Sequence, residues 1–254
     1  RVMTMNSMEL AKQYMEQLYG QSSSSLETTD PELAAIKKRL IYGEIYAEEK
    51  LDPKLRELII LVVSTTNQTY AEVKLHTNAA LQSGVTPQQI KEAVYHCGPY
   101  IGLSKTETSV QVVNEVLTAQ GIPLPLPSAQ TTTDETRLLQ GIAAQKSIFG
   151  DSIDAMRAAA PENQKNIQDY LSAYCFGDFY TRKGLGIPER ELLTFAILCA
   201  QGGCEPQVKA HINGNIAVGN TKETLLAALT ICLPYIGFPR TLNALSCINE
   251  VLPE

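Results

Sequence analysis

The sequence predicts an all-α protein built as a tandem duplication of one helical unit. Three observations support this fold class. Apolar residues recur at helical spacing, strand-like alternation between turn residues is nearly absent, and the two halves of the 254-residue chain repeat one another. The composition, with 44% hydrophobic and 19% charged residues, is typical of a packed globular protein.

The repeat is clearest around a histidine in each half of the chain. Residues 75–84 and 210–219 carry His, Asn and Gly at matching positions, with an offset of 135 residues. Matches on both sides pair 42–46 with 176–180, 56–58 with 190–192, 97 with 232, 99–102 with 234–237, and 114–117 with 249–252. Because chance does not produce matches in this order, we interpret them as a duplication. The predicted units are residues 1–120 and 135–254, joined by a Pro- and Thr-rich linker over 121–134.

The first helix signals of each unit follow polar or proline-containing breaks. A loop is expected at 21–25, and Asp52-Pro53 and Ile187-Pro188 predict helix starts because proline is tolerated in the first helical turn. The residues that follow repeat at i, i+3, i+4 and i+7, the spacing of one buried helix face. They are Leu55, Leu58, Ile59, Val62 and Val63 in the first unit, and Leu192, Phe195, Ala196 and Cys199 in the second.

The histidine helices come next, and each is expected to end at a glycine in the C′ position. Residues of capping-box type then predict the start of another helix, a proline predicts an interruption of it, and a last amphipathic helix follows. The glycines are Gly84 and Gly219, and the capping-box segments are 86–89 and 220–223. The prolines are Pro99 and Pro234, and the last helices reach Leu117 and Leu252.

Charge and composition exclude several classes of function. The net charge of −6 and the pI near 5.2 argue against a nucleic-acid partner, because phosphate binding needs clustered positive charge. No apolar stretch approaches the roughly 20 residues of a membrane-spanning helix, so no membrane partner is expected. Six cysteines without a Cys-x-x-Cys pair predict reduced thiols in a cytoplasmic protein. With three histidines and no paired spacing, neither a zinc site nor another cofactor is expected.

The two histidine helices carry the candidate catalytic residues. His76 shares a helix face with Thr69 and Glu72, and His211 shares its face with Cys204 and Gln207. A carboxylate beside a histidine sets the tautomer of the imidazole, and the pair can move a proton near neutral pH. Further charged residues recur in both units, as Glu57 and Glu191, Arg56 and Arg190, and Glu44 and Asp178.

Each candidate also has a structural interpretation. A lone helical histidine is more often a core or interface residue, and an Arg-Glu pair can hold helices together as a buried ion pair. His96 falls on an isoleucine in the second unit, so it is either specific to the first site or simply packed. Tyr100 and Tyr235 either line a pocket or belong to a structural turn. Cys204 is either a nucleophile assisted by His211 or a small buried apolar residue.

These residues, in this order and in both halves, resemble the carboxymuconolactone decarboxylase family, which shares its all-helical fold with the alkyl hydroperoxidase D group. The resemblance covers nearly the whole chain. It rests on 56–58, 75–76, 84–90 and 98–102 in the first half, and on 174–178, 190–192, His211 and Gly237 in the second. Family members form trimers or hexamers of single units, so the resemblance implies a homotrimer of two-unit chains.

The resemblance implies two alternative chemistries. Peroxidase members use a glutamate, a Cys-x-x-Cys pair and a histidine. Decarboxylase members lack the dithiol, keep the histidine and release carbon dioxide from a carboxylated lactone, and they typically have an arginine two residues after the histidine. The peroxidase positions fall here on Glu57, Thr69, Glu72 and His76, and on Glu191, Cys204, Gln207 and His211; the arginine position holds Asn78 and Asn213. Neither unit has the dithiol.

The leading hypothesis is therefore a lyase of the carboxymuconolactone decarboxylase type, which acts on a small carboxylated lactone or related metabolite by His/Glu acid-base chemistry. The alternatives are a thiol-dependent, peroxiredoxin-type peroxidase using Cys204 and a non-catalytic ligand-binding scaffold. The predicted catalytic residues are His76, His211, Glu57, Glu191 and Cys204. The predicted substrate-binding residues are Glu44, Asp178, Arg56, Arg190, Glu72, Asn78, Asn213 and His96.

Overall fold

The computed structural model describes residues 6–21 and 23–254, and the regular structure within them is helical throughout. The first half contains α1 (Ser7–Tyr19), α2 (Leu26–Thr29), α3 (Pro31–Lys38), the π-helix π1 (Arg39–Ile45), a 3-10 turn (Tyr46–Glu48), α4 (Pro53–Asn67), α5 (Tyr70–Gln82), α6 (Pro87–His96), α7 (Gly98–Ile101) and α8 (Leu103–Ala119). The second half contains α9 (Arg137–Phe149), α10 (Ser152–Ala159), a 3-10 turn (Glu162–Gln164), α11 (Lys165–Tyr170), the π-helix π2 (Leu171–Tyr180), α12 (Ile187–Gln201), α13 (Glu205–Ala217), α14 (Lys222–Ile236) and α15 (Phe238–Val251). The predicted all-α tandem duplication is confirmed.

Helices α4 and α12 form the centre of one core that both halves share. Residues 56–66 of α4 and 190–200 of α12 are continuously buried, and the two helices pack against each other. Each is also covered by a helix of the other half, since α14 packs on α4 and α6 packs on α12. A helix enclosed on all sides needs apolar residues around most of its circumference, as both helices have. The polar residues within these two buried stretches are therefore enclosed in the shared core.

The predicted helix ends are largely observed. Gly84 and Gly219 follow their histidine helices with φ angles of 90° and 99°, a region that favours glycine. Thr86 forms the expected capping box with Gln89. Thr221 caps α14 by accepting from the backbone N–H of Thr224, but the reciprocal bond of a capping box is missing because the third helical residue is a threonine.

The predicted interruption by proline occurs in the first half but not in the second. Helix α6 ends at His96, and Pro99 lies in the separate short helix α7. Pro234, by contrast, lies inside α14, which continues to Ile236, so the predicted interruption there was wrong. A proline this close to the end of a helix removes a single backbone hydrogen bond of the last turn, which is not enough to break the helix.

In each half, the first long helix packs against the π-helix at a glycine: α1 packs against π1, and α9 packs against π2. A Cβ atom on Gly43 of π1 would lie 2.1 Å from the carbonyl oxygen of Ser7, and one on Gly177 of π2 would lie 2.2 Å from that of Arg137. Both crossings therefore require glycine. They place Tyr19, the last residue of α1, and Phe149, the last of α9, beside the histidines. The sequence comparison did not predict this pairing, because α1 and α9 share size and position but little residue identity.

The two halves are joined by residues 120–136, between the end of α8 and the start of α9. The unit boundaries at 1–120, 121–134 and 135–254 stay a prediction. Of the helices within the described parts of the chain, none combines the length and the apolar character needed to cross a membrane.

Candidate active sites

A histidine on α5 and another on α13 each meet a glutamate of the neighbouring core helix. Nδ1 of His76 lies 2.9 Å from Oε1 of Glu57, and Nδ1 of His211 lies 2.9 Å from Oε2 of Glu191. Both glutamates are fully buried. The structure therefore brings together the acid and the histidine that the sequence suggested, once in each half.

The first pair is enclosed by protein. His76 is 0% exposed, and its Nε2 lies 3.2 Å from Oε2 of Glu72, which also binds Lys37 at 2.9 Å. Tyr19 and Tyr235 cover the imidazole through edge contacts, with ring centroids 6.4 and 6.0 Å away. Tyr19 also lines a cavity of about 380 Å³, and His76 does not line it. Each ring nitrogen of His76 thus faces a carboxylate and not an open space.

Arg56 completes a buried ionic cluster around this histidine. Its Nε donates to Oε2 of Glu57 at 2.9 Å, and its guanidinium lies 4.0 Å from the ring centre of Tyr46. The hydroxyl of Tyr46 donates to the same carboxylate oxygen at 3.0 Å. Glu57 therefore accepts from three side chains at once, which offsets the cost of burying its charge.

The charges in this cluster favour the imidazolium form of His76. Burial by itself lowers the pKa of His76, but Glu57 and Glu72 outweigh it and raise the pKa to about 9. Burial raises the pKa of Glu57, and the bonds from His76 and Arg56 nevertheless hold that pKa below its usual range. The hydrogen bond to His76 is the largest cause that lowers the pKa of Glu72, to about 2.

We expect the stability contributed by His76 to fade on the alkaline side. Its pKa in the folded protein is about 9 against an ordinary 6.5, so the contribution is fully present below pH 6.5 and is lost as the pH rises through 9. The slope of this loss is at most about 1.4 kcal/mol per pH unit. Urea unfolding of the wild type and of His76→Gln at pH 6, 7, 8 and 9 would measure it. The difference in unfolding free energy between the two proteins should become smaller as the pH rises. A difference that stays constant would contradict the assignment.

The second pair opens into a pocket. The side chain of His211 is 12% exposed and lines a pocket of about 620 Å³. Tyr100 and Phe149 flank the imidazole, with ring centroids 5.9 and 5.4 Å away. Gln207, which occupies the position of Glu72, also lines this pocket. Because Glu191 holds Nδ1 of His211, Nε2 is the nitrogen left for a molecule in the pocket.

A chain of hydroxyl groups positions Glu191. The hydroxyl of Tyr180 donates to Oε1 of Glu191 at 2.6 Å, and it lies 2.8 Å from the hydroxyl of Thr194 and 3.0 Å from that of Tyr100. Oγ1 of Thr194 in turn lies 2.8 Å from Nε2 of His96. His96 therefore belongs to the surroundings of the second site, although it is a residue of the first half. Burial, with contributions from the nearby positive groups, lowers the pKa of His96 well below its usual range.

Arg190 makes different contacts from its counterpart Arg56. Nη2 of Arg190 lies 3.1 Å from Oε1 of Glu92, a residue of α6 in the first half, and Nη1 lies 3.5 Å from Nδ1 of His96. At the positions that correspond to Glu92 and His96, the second half has Ala227 and Ile231. Arg56, which lines a small cleft with these two apolar residues, binds Glu57 instead. Both arginines thus form buried ion pairs. The partner of Arg56 lies on the same helix, and the partner of Arg190 lies on a different helix.

The two halves exchange tyrosines between their sites. Tyr100 of the first half contacts His211, and Tyr235 of the second half contacts His76. Both follow the prolines of the matching Pro-Tyr-Ile-Gly segments, so the duplication places them symmetrically. Each site is therefore built from residues of both units, and the pocket-lining interpretation describes Tyr100.

Four of the predicted substrate-binding residues lie away from the two histidines. Asn78 is partly buried and Asn213 is exposed, and each side chain bonds to a backbone carbonyl one turn earlier in its own helix. Glu44 pairs with Arg39 at the surface, and Asp178 forms a two-pronged ion pair with Arg137 of α9. The structure assigns them surface and helix-packing contacts, and a role in substrate binding stays a prediction.

Cys204 directly precedes α13 and does not line the pocket at His211. Its Sγ contacts the carbonyl oxygen of Leu198 at 3.3 Å, and it borders a separate cavity of about 290 Å³ with Cys199 and Cys247. Burial, and then the charge of Glu205, raise the pKa of this thiol. The surroundings of Cys204 thus disfavour the thiolate that a peroxidase needs.

We expect Cys204 to react slowly with alkylating reagents because its thiol pKa is raised. With iodoacetamide at pH 7.5, the native protein should be modified at this position several-fold more slowly than N-acetylcysteine. Quenched samples analysed by peptide mass spectrometry would give the rate, with Cys204→Ser as the control for the peptide assignment. A rate above that of N-acetylcysteine would show a stabilised thiolate and revive the peroxidase alternative.

Comparisons with known proteins agree with this architecture. The model of the carboxymuconolactone decarboxylase family matches residues 31–115 and again residues 165–250. The 4-carboxymuconolactone decarboxylase of Acinetobacter baylyi is 26% identical over 122 residues, which cover 48% of this chain and 90% of that protein. A nitrosuccinic acid decarboxylase of Metarhizium robertsii is 36% identical over 61 residues, or 24% of this chain and 43% of that protein.

A solved structure resembles most of the chain. It is a protein of Burkholderia xenovorans LB400 provisionally described as a gamma-carboxymuconolactone decarboxylase subunit. The likeness has a TM-score of 0.56 at 24% identity and covers 94% of this chain and 95% of the other. At this identity it shows the shared fold.

Proposed function

The chain belongs to the carboxymuconolactone decarboxylase family, and from this membership we propose that it releases carbon dioxide from a small carboxylated lactone or related metabolite at the His211–Glu191 pair. Two relatives that carry decarboxylase names support a carboxy-lyase at the level of the family. The observation that carries the proposal for this chain is a buried carboxylate that holds one nitrogen of a histidine while the other is left for the pocket.

In the proposed reaction the bond between the carboxylate carbon and the rest of the substrate breaks. Its electron pair passes into the adjoining unsaturated system as carbon dioxide leaves, and a proton from Nε2 of His211 then adds to the carbon skeleton. Glu191 stabilises the imidazolium before this transfer and keeps the ring oriented, since Nδ1 donates to its carboxylate. Tyr180 holds Glu191 in place. A proton taken from solvent returns the histidine to its starting state.

We assign the His76–Glu57 pair to the stability of the fold. Both of its ring nitrogens face carboxylates, and tyrosine rings close over it. The histidine would then be paired with a glutamate in both halves, but only the histidine of the second half would take part in the reaction.

The proposal is tested by carbon dioxide release from a panel of lactone carboxylic acids and β-keto acids. Wild-type protein should release carbon dioxide from at least one of them, and His211→Gln, a change at a partly exposed position, should release far less. Circular dichroism and thermal unfolding check that the variant is folded. Absence of turnover across the panel, or turnover that His211→Gln leaves unchanged, would contradict the proposal.

Assembly and location are further parts of this proposal. Large apolar side chains that are more than half exposed could be buried between chains; examples are Leu33, Ile36, Phe238 and Leu242. They support a homo-oligomer, and the trimer is what the family resemblance implies. A native mass of three times 27.8 kDa would establish a homotrimer of two-unit chains, and a monomeric mass would exclude it. Six free cysteines support a cytoplasmic protein.

A further inference from the structure

The pocket at His211 is lined almost entirely by apolar and aromatic side chains. Phe149, Ile153, Met156 and Phe176 are examples, and the lining residues within the described chain include no lysine or arginine. The polar side chains that do line it include Gln145, whose Oε1 already accepts from Ser172. Apart from His211, the described residues of this lining therefore offer no basic side chain to an acidic group.

The arginines near this site are already engaged elsewhere. Arg190 is fully buried and pairs with Glu92, and Arg157 donates to the hydroxyl of Ser172 and pairs with Asp169. A second carboxylate on a bound substrate would be removed from water without an ionic partner. Such burial is strongly unfavourable, because the lost hydration is not replaced.

The apolar surface continues outward from the pocket. Met156 of α10 and Ile167 and Tyr170 of α11 line the pocket and are 38%, 59% and 63% exposed. This rim extends the hydrophobic contact well beyond His211. The volume of about 620 Å³ also exceeds what a compact ring acid fills.

From these observations we infer that the site selects substrates with an apolar body, an alkyl chain or an aromatic ring, and rejects those that carry a carboxylate on that body in addition to the one lost. The inference rests on the proposed function, and it sets this chain apart from the curated relatives, which are named for acidic substrates. The carboxylate that leaves would lie beside His211, and the apolar body would extend toward Met156.

A matched pair of lactones tests the selectivity. Both are γ-butyrolactones with one carboxylate on the ring, the group that would be lost. The first carries a pentyl chain, and the second has a further carboxylate in place of the terminal methyl of that chain. They are called the neutral and the charged lactone after the charge of this chain. Isothermal titration of the wild-type protein at pH 7.5 should give a Kd for the neutral lactone that is at least about 10-fold lower. A charged lactone that binds as tightly as the neutral one, or no binding of either, would overturn the inference.

A variant at the rim makes the test specific to this pocket. Met156→Arg places a cation at a partly exposed position of the lining and should shift the ratio of the two Kd values toward the charged lactone by about 10-fold or more. Leu139→Arg is the matched control, because Leu139 is 73% exposed and does not line the pocket. Equal ratios in Met156→Arg and Leu139→Arg would show that the lactones bind elsewhere and would overturn the inference.

Binding and turnover separate this inference from the proposed function. A protein that releases carbon dioxide but prefers the charged lactone would retain the proposed function and lose the apolar selectivity. A protein that prefers the neutral lactone but releases no carbon dioxide would lose the proposed function alone.

Discussion

Replacing His211 by glutamine is expected to lower kcat/KM for carbon dioxide release by about 100- to 10,000-fold, the usual contribution of a general acid or base. The same replacement of His76 is expected to leave the kcat/KM of the folded protein within a few-fold of the wild type. The two residues occupy matching positions of the duplication, so each variant is the control for the other.

The physical reason is the different environment of the two imidazoles. His211 has one nitrogen on Glu191 and lines a pocket, whereas His76 has a carboxylate at each nitrogen and is closed off from solvent. Glutamine at position 211 keeps a hydrogen bond to Glu191 but cannot supply a proton as an imidazolium does. Glutamine at position 76 removes a positive charge from between Glu57 and Glu72, which should destabilise the fold by roughly 3–5 kcal/mol.

The measurements are initial rates of carbon dioxide release over a range of substrate concentrations, together with urea unfolding of all three proteins. A loss of turnover in both variants, with both folded at the assay temperature, would show that the two pairs act together. A loss in His76→Gln alone would reverse the assignment. The glutamates give an independent check, since Glu191→Gln should impair turnover and Glu57→Gln should impair stability.

The sequence predicted the fold and the two His-Glu pairs because duplication leaves matching residues that can be aligned by eye. It could not predict which pair is open. The difference depends on Glu72 in the first half against Gln207 in the second, and on the rings that cover each imidazole. Two of these rings come from α1 and α9, which resemble each other in size and position but little in sequence. The match of 42–46 with 176–180 contained Tyr46 and Tyr180, which hold the two glutamates, and could have suggested their role.

The contacts between the halves were beyond prediction for a different reason. His96 has an isoleucine, Ile231, as its counterpart in the second unit, yet its own side chain lies beside Thr194 of that unit. Residues that correspond in a repeat need not contact one another in the fold. The exchange of Tyr100 and Tyr235 between the sites follows from the packing of α4 against α12, which no pattern within a single unit encodes.

Substituting Glu92 by alanine is expected to destabilise the protein by roughly 3–5 kcal/mol, because it leaves the charge of Arg190 buried without its partner. Arg190 is 0% exposed, and Glu92 is 1% exposed and also binds Arg182 at 2.9 Å. Alanine is the residue that the second half has at the corresponding position, Ala227, so the change introduces no foreign shape. Urea unfolding of the variant gives the loss, and Glu115→Ala, at an exposed position, should cost less than about 0.5 kcal/mol.

The double variant Glu92→Ala/Arg190→Met decides whether the loss comes from a stranded charge. Replacing a buried ion pair by apolar residues is often nearly neutral, so the double variant should recover much of the stability that Glu92→Ala loses. In Glu92→Ala itself, Arg190 is free to turn toward Glu191, as Arg56 already binds Glu57. That turn would draw Glu191 from His211 and lower turnover as well. A single variant as stable as the wild type would contradict this account, and so would a double variant less stable than the single one, because either result means that the Arg190–Glu92 contact does not hold the two halves together.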